Sequence, residues 1–312
     1  MKIVVKISTI LTVFALLLAI GTVGCGKNVN GPTPSEPDVS SSEISEPDVS
    51  GEDDSAMYEG KTSIKVMSYN IRCLRGGQRD AGYDPLTQDE SDNTMLCFNT
   101  LLDREAPDIM IVCENRMFFD AKATDSEGGT KNVYDHLFKG HFRYAYNLES
   151  GASLPRIYSK YKISDMQYID VPYAAGVGGG RRPLSVRITV GGEEIYVIAC
   201  HPEAGPEAYE TSRKPYFAAI EEFCKDKKNV IIAGDLNTDT ADFKAELDGF
   251  KDDFTFGNFG EFGTHRTYRF GNESERYLDN ILAKGLKMRS FTVGTEDYSD
   301  HFPVYSQLYI MN

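Results

Sequence analysis

Nine apolar runs of strand length follow one another between residues 63 and 310. They are SIKVMSYNI (63–71), DIMIVCE (108–114), RIYSKYKI (156–163), LSVRITV (184–190), EIYVIACH (194–201), NVIIAGD (229–235), YLDNILA (277–283), SFTVG (290–294) and PVYSQLYI (303–310). Segments of this kind, rich in Val, Ile, Tyr and Phe and bounded by Gly, Pro, Asn and Asp, are strands. Helical stretches intervene at 92–105, 207–227 and 239–248; in the first, Met95, Phe98, Leu101 and Leu102 recur at helical spacing. Strands mixed with helices, many of the strands adjacent as hairpins, predict sheets packed face to face with helices outside.

The polar residues at the ends of these runs carry the functional signal. VMSYN ends at Asn70, DIMIVCE at Glu114, VIACH at His201, and VIIAGDLN at Asp235 and Asn237. Asp279 interrupts the apolar run YLDNIL, and Asp300 and His301 directly precede the last one. Left unpaired, each such group costs several kcal/mol to desolvate. Taken singly, GDLN reads as a strand end with an Asx-turn, and SDH as a turn before a strand. Asp279 resists a bland reading, because a charge inside an apolar strand demands a partner. Together the groups predict one meeting point, with a cation balancing the acids.

The residue types suit a narrow chemistry. Carboxylate and amide oxygens are hard ligands for Mg²⁺, Mn²⁺ or Ca²⁺. Two His, each able to pair with a neighbouring Asp once folded, supply proton transfer and a cationic donor to an anionic transition state. No GxSxG elbow and no GxxxxGK[ST] phosphate loop occurs. GVGGG (176–180) opens no helix and reads as a loop, and His136, His141 and His265 lack comparable context.

The amino terminus reads as an export signal. Lys2 and Lys6 precede an apolar run, Ile10 to Ile20, which ends in GTVGC. TVGC resembles a bacterial lipobox with Thr22 in place of the usual Leu. Residues 1–24 are thus expected to be a lipoprotein signal peptide and Cys25 the lipidated residue, anchoring the protein to the outer face of the cell membrane. An ordinary cleaved signal is the alternative. Residues 25–60 are expected to be a disordered acidic tether, with SEPDVS at 35–40 and again at 45–50. Residues 61–312 form the folded domain. The net charge is −14; taking away the −7 of residues 26–56 and the signal's +2 leaves −9 on residues 57–312. That balance argues against a strongly cationic phosphate-gripping surface without excluding a nuclease, because a bound divalent cation supplies local positive charge. The cysteines at 25, 73, 97, 113, 200 and 224 fit no zinc spacing, and their pairing is not legible.

Asn70 in SYNIR, Glu114 in CENR, His201 in ACHPE, then GDLN, YLDNIL and SDH, in this order, resemble the signature of the endonuclease/exonuclease/phosphatase superfamily. The resemblance spans 63–310. It implies a four-layer α/β (α+β) sandwich of two mixed, mostly antiparallel sheets, and metal-assisted hydrolysis of a phosphoester with Mg²⁺ or Mn²⁺. By that likeness Glu114, Asn70 and Asp300 hold the metal, Asp300 alternatively orienting His301. Asp235 aligns and deprotonates water, Asn237 and His301 contact the phosphate, Asp279 buttresses a His, and His201 is a general-acid candidate. The implied substrate is a nucleic acid, a lipid head group or a small phosphoester; a monomer is expected. Two departures stand out: Cys113 where the family has Gln, and Pro202 where Leu is common. Arg72 and Arg182 are candidates for a substrate phosphate, a solvated or structural role being the plainer reading.

Overall fold

The computed structural model describes residues 55–72, 88–114, 138–146, 155–173, 181–205, 207–238, 246–268, 276–296 and 298–311. The export signal, Cys25, nearly all of the tether, His136, the GVGGG loop and most of the expected helix 239–248 lie outside these residues.

Two six-stranded sheets form the domain. The strands are β1 (Thr62–Asn70), β2 (Ile109–Cys113), β3 (Tyr144–Tyr146), β4 (Arg156–Ser159), β5 (Ile163–Tyr168), β6 (Leu184–Val190), β7 (Glu193–Cys200), β8 (Val230–Asp235), β9 (Thr255–Phe256), β10 (Asp279–Lys284), β11 (Lys287–Val293) and β12 (Val304–Ile310). One sheet has the order β11-β12-β1-β2-β4-β3 and the other β5-β6-β7-β8-β10-β9. Each is antiparallel except for one central parallel pair, β1 with β2 and β7 with β8. Helix α1 (Ser55–Tyr58) is a single turn inside the expected tether, and its buried Tyr58 packs 4.4 Å from Tyr309. Helix α2 (Gln88–Glu105) covers the first sheet, and α3 (Lys214–Cys224), entered through a π-turn at Tyr209–Arg213, covers the second. No helix among the described residues is long and apolar enough to cross a membrane.

Burial on both faces explains why the runs are almost continuously apolar. In β2 every side chain is buried: Ile109 and Ile111 point between the sheets, while Met110 and Val112 pack under α2 with Phe98, Leu101 and Leu102. In β7 and β8, Val197 and Ile231 face the central layer, and Ile198 and Ile232 face Tyr216, Phe217 and Ile220 of α3. The expected strand 156–163 divides at Lys160 into β4 and β5, which belong to opposite sheets.

The topology sets up one rim. The carboxyl ends of β1, β2, β7 and β8 and the amino ends of β10 and β12 lie together, because β12 runs antiparallel to β1 and β10 antiparallel to β8. Across the sandwich, β1 lies against β8 and β12 against β10.

Candidate active site

The backbone at this rim is bent on purpose. Gly234 has φ +148°, and a Cβ there would overlap the carbonyl oxygen of Cys200 on β7. Only glycine permits this approach, and it delivers the next residue, Asp235, to the end of the sheet. Glu114 and Asn237 both hold positive φ, 53° and 49°. For Glu114 in particular this is a strained conformation, costing about 1–3 kcal/mol.

Asn70, fully buried, is the hub. Its Nδ2 donates to Glu114 Oε1 at 3.2 Å and to Asp235 Oδ2 at 2.9 Å, and stands 3.4 Å from His301 Nε2. Asn70 and Glu114 come from one sheet and Asp235 from the other, so the amide spans the sandwich. Asp235 Oδ1 accepts the Asn237 backbone N–H at 3.0 Å, and the Asn237 side-chain amide donates to Pro202 O at 3.0 Å. The Nε2 atoms of His201 and His301 each lie 3.6 Å from Asp235 Oδ2, beyond a direct hydrogen bond. His201 Nε2 is 3.9 Å from Glu114 Oε1.

His301 is fixed from behind: its Nδ1 lies 2.7 Å from Asp279 Oδ2, and the Tyr268 ring meets it edge-on, centroids 4.9 Å apart. Asp279 pairs across the ladder with Asp235, and its backbone N–H donates to Thr267 Oγ1 at 2.9 Å. Asp279 therefore orients His301. Asp300 instead faces Arg72, with Nε 3.4 Å from Oδ2, and its Oδ1 stands 3.2 Å from Ser299 Oγ. Ser299 Oγ donates to Asn70 O at 2.7 Å, tying the SDH segment to β1.

The electrostatics follow from burial and from which charges face each other. Burial alone would raise Asp235, but His301 and His201, with the hydrogen bonds from Asn70 and Asn237, hold it below the ordinary carboxylate range. Burial likewise opposes the charge on His301, yet Asp279 and Asp235 outweigh it and push the imidazole up to about 10. Burial lifts Asp279 to about 6. Glu114 is raised by burial, against which His301 and the Asn70 hydrogen bond pull it down and Asp235 and Asp300 push it up further. At neutral pH the site thus holds an ionised Asp235, an imidazolium at His301 and a Glu114 whose burial outweighs the help of His301 and Asn70.

Eight of the residues singled out in the sequence, Asn70, Glu114, His201, Asp235, Asn237, Asp279, Asp300 and His301, stand on this one rim. Arg72 joins them through Asp300, whereas Arg182 stacks 4.6 Å over the Tyr168 ring. His141 turns to Asn99 and Asp103 on α2, and His265 to Phe262 O. Cys113 donates to Cys200 O at 3.2 Å, tying the sheets together one residue before both Glu114 and His201. Ser299, Thr267 and Tyr268 also join the rim; nothing in a Ser or Thr within a polar turn distinguishes it in the sequence.

One group of possible ligand atoms, from Asp235, Asp279 and His301, lies within 4.8 Å. It is already knit by the charge-assisted Asp279–His301 hydrogen bond, so we read it as an acid–imidazole–acid relay. The donors suited to a hard cation are Glu114, half-exposed at 37%, with Asn70 and Asp300.

Residues 67–301 match the model of the Endonuclease/Exonuclease/phosphatase family. Among solved structures, D. rerio TDP2 complexed with a single-strand DNA product is similar with TM-score 0.58 and 16% identity, covering 79% of this chain and 99% of that one. The endonuclease/exonuclease/phosphatase from Beutenbergia cavernae DSM 12333 gives 0.57 and 18%, covering 79% and 71%. Beta toxin 275-280 from Staphylococcus aureus gives 0.55 and 18%, covering 78% and 99%. No curated protein matches the chain by sequence. The similar structures share the four-layer fold; the family match, covering most of the chain and every residue of the rim, establishes that this protein belongs to the endonuclease/exonuclease/phosphatase family.

Proposed function

We propose that the protein is a divalent-cation-dependent phosphoesterase, hydrolysing a phosphodiester or phosphomonoester outside the cytoplasm by in-line attack of water. The observation that carries this reading is the reach of Asn70 Nδ2 from Glu114 on one sheet to Asp235 on the other, beside both imidazoles. A structural network would neutralise its acids internally. Here burial, with Asp235 and Asp300 adding to it, keeps Glu114 raised despite His301 and the Asn70 hydrogen bond, the condition a hard cation relieves. Glu114, Asn70 and Asp300 would hold Mg²⁺ or Mn²⁺, which when bound supplies charge neutralisation at the phosphate.

The protein's own groups account for the remaining steps. Asp235, ionised and with Oδ1 fixed by the Asn237 N–H, orients a water and takes its proton. His301, held cationic by Asp279, donates from Nε2 to a phosphate oxygen. Asn237 commits one amide hydrogen to Pro202 O, leaving the second for the phosphate. His201 faces the same space and protonates the leaving oxygen.

Export as a lipoprotein, anchored through Cys25 with the acidic tract as tether, is supported by the signal-like amino terminus and by a disulfide at Cys97, since disulfides persist in oxidising compartments. A nuclease is the second reading, favoured by the DNA product bound to D. rerio TDP2; the acidic domain weighs against long polyanions.

The deciding experiment is a substrate panel of plasmid DNA, single-stranded DNA, RNA, sphingomyelin, inositol phosphates and a generic diester, each with Mg²⁺, Mn²⁺ or chelator. Hydrolysis that requires metal and is lost in Asp235→Ala, with circular dichroism unchanged, is expected. Hydrolysis of nothing with either metal would leave a non-catalytic phosphoester-binding lipoprotein instead.

A further inference from the structure

The chain beyond His201 leaves the sheet with no ladder to hold it, yet side chains meet it at nearly every step. His201 N–H donates to Tyr216 OH at 3.1 Å. Pro202 O accepts from Asn237 Nδ2 and, at 2.7 Å, from Arg181 Nη1. Glu203 O, at 3.2 Å, and Gly205 O both accept from one atom, Arg213 Nη1.

Arg213 is 2% exposed, and the Glu246 side chain that it grips is fully buried. Its Nε donates to both Glu246 oxygens, at 3.1 and 2.8 Å, and Nη2 donates to Oε1 at 2.7 Å. The residue ends a π-turn, Tyr209–Arg213, a local widening of the helix often found at functional sites. It shares a helical face with Tyr216, three residues on, so one face running from the π-turn into α3 holds the His201 segment at both ends. Glu246 follows the segment that leaves Asn237, so a single guanidinium ties together the chains departing from β7 and β8.

Stability is a poor explanation for such a pair. Desolvating two charges offsets much of their attraction, and well-packed apolar replacements are often neutral or stabilising. What an apolar pair cannot do is fix two carbonyls. Resting on the proposed hydrolase reading, we propose that Arg213 is a positioning residue, with Glu246 as its anchor, that sets His201 and Asn237 at the spacing the reaction needs. Arg213→Lys offers a point charge in place of a planar fork and cannot serve the carboxylate and both carbonyls.

The test uses the full chain with the best substrate of the panel and three variants: Arg213→Met/Glu246→Leu, Arg213→Lys and Arg213→Met. The double variant is expected to keep the wild-type Tm within a few degrees while kcat falls by about a hundredfold, the loss expected for a misplacement of roughly 1 Å. KM is expected to change less than about threefold, since uniform binding is untouched. Arg213→Lys should fall in between, and Arg213→Met alone should lose stability, leaving Glu246 a buried charge without its partner. A second readout needs no turnover: in the double variant the His201 imidazole resonances should shift and broaden, and amide exchange across 203–205 should accelerate. Wild-type kcat in a folded double variant, or, where no substrate is turned over, unchanged His201 resonances and exchange, would overturn the proposal. Absence of wild-type hydrolysis alone counts against the hydrolase reading and leaves the spectroscopic arm to decide this one.

Discussion

His301 Nδ1 lies 2.7 Å from Asp279 Oδ2 at the buried end of two paired strands, and together they make a charge relay that the fold holds away from water. Burial opposes the imidazolium, but Asp279 and Asp235 prevail and raise it to about 10 from 6.5. A group whose folded pKa is raised contributes stability that is complete below its unfolded value and lost as pH rises through the folded value. In chelator, the stability difference between wild type and His301→Gln is therefore expected to hold steady up to about pH 6.5 and to shrink as pH rises towards 10. Urea unfolding across that range measures it, and a ¹⁵N titration of the imidazole provides the direct check. A midpoint near 6.5 would refute the relay.

Glu114 presents the opposite balance. Burial, with the charges of Asp235 and Asp300, outweighs His301 and the Asn70 hydrogen bond and raises its carboxyl, so its ionised form at neutral pH costs the metal-free protein stability. Glu114→Gln removes that cost while deleting an oxygen anion from the proposed cation site. In chelator the variant should melt at or above the wild-type Tm. Added Mn²⁺ should raise the wild-type Tm, by mass action, and leave the variant nearly unmoved. A variant that melts lower in chelator and gains equally from Mn²⁺ would show that Glu114 is an ordinary structural acid.

Gly234 joins strand geometry to catalysis. Gly234→Ala must move β8 away from Cys200 O and abandon a φ of +148°. A loss of about 2–4 kcal/mol is expected, of the kind seen where backbone strain and overpacking combine. Urea denaturation of the variant measures that loss, and any folded fraction should show lowered turnover because Asp235 is displaced. Full stability in Gly234→Ala would mean that the rim is far more pliable than its packing implies.

The rim was legible because its polar residues break a pattern that burial on both faces makes nearly uniform. Asp279 among Tyr277, Leu278 and Ile281 cannot be there without a partner, and His301 supplies one. The sheets were legible for the same reason. What escaped was set by long-range packing. Strands β3 and β9 hold three and two residues, too few for a period to show. The run 156–163 reads as one strand because alternation carries no mark of a change of sheet; only the turn at Ser159–Tyr161, where Tyr161 N–H donates to Ser159 Oγ, divides it. Arg213 was hidden inside a helical stretch where a cation is unremarked. Its position on the face of Tyr216, Phe217 and Ile220 was the available signal.

Cys97 decides between two readings of the amino terminus. It is buried on α2 and disulfide-bonded, whereas Cys113, Cys200 and Cys224 are free, buried thiols. Its partner is therefore Cys25 or Cys73, the two cysteines that remain. A Cys25 carrying a thioether-linked lipid has no thiol to give, so a lipoprotein must pair Cys73 with Cys97. That bridge would close the chain between β1, immediately after Arg72 at the rim, and α2. On the lipoprotein proposal, non-reducing peptide mapping of the full chain is expected to yield the Cys73–Cys97 peptide and a lipid-modified Cys25. Cys97→Ser should lower stability by about 2–4 kcal/mol, read as a shifted urea midpoint that reductant reproduces in the wild type. A Cys25–Cys97 peptide would end the lipid-anchor reading while leaving the site untouched.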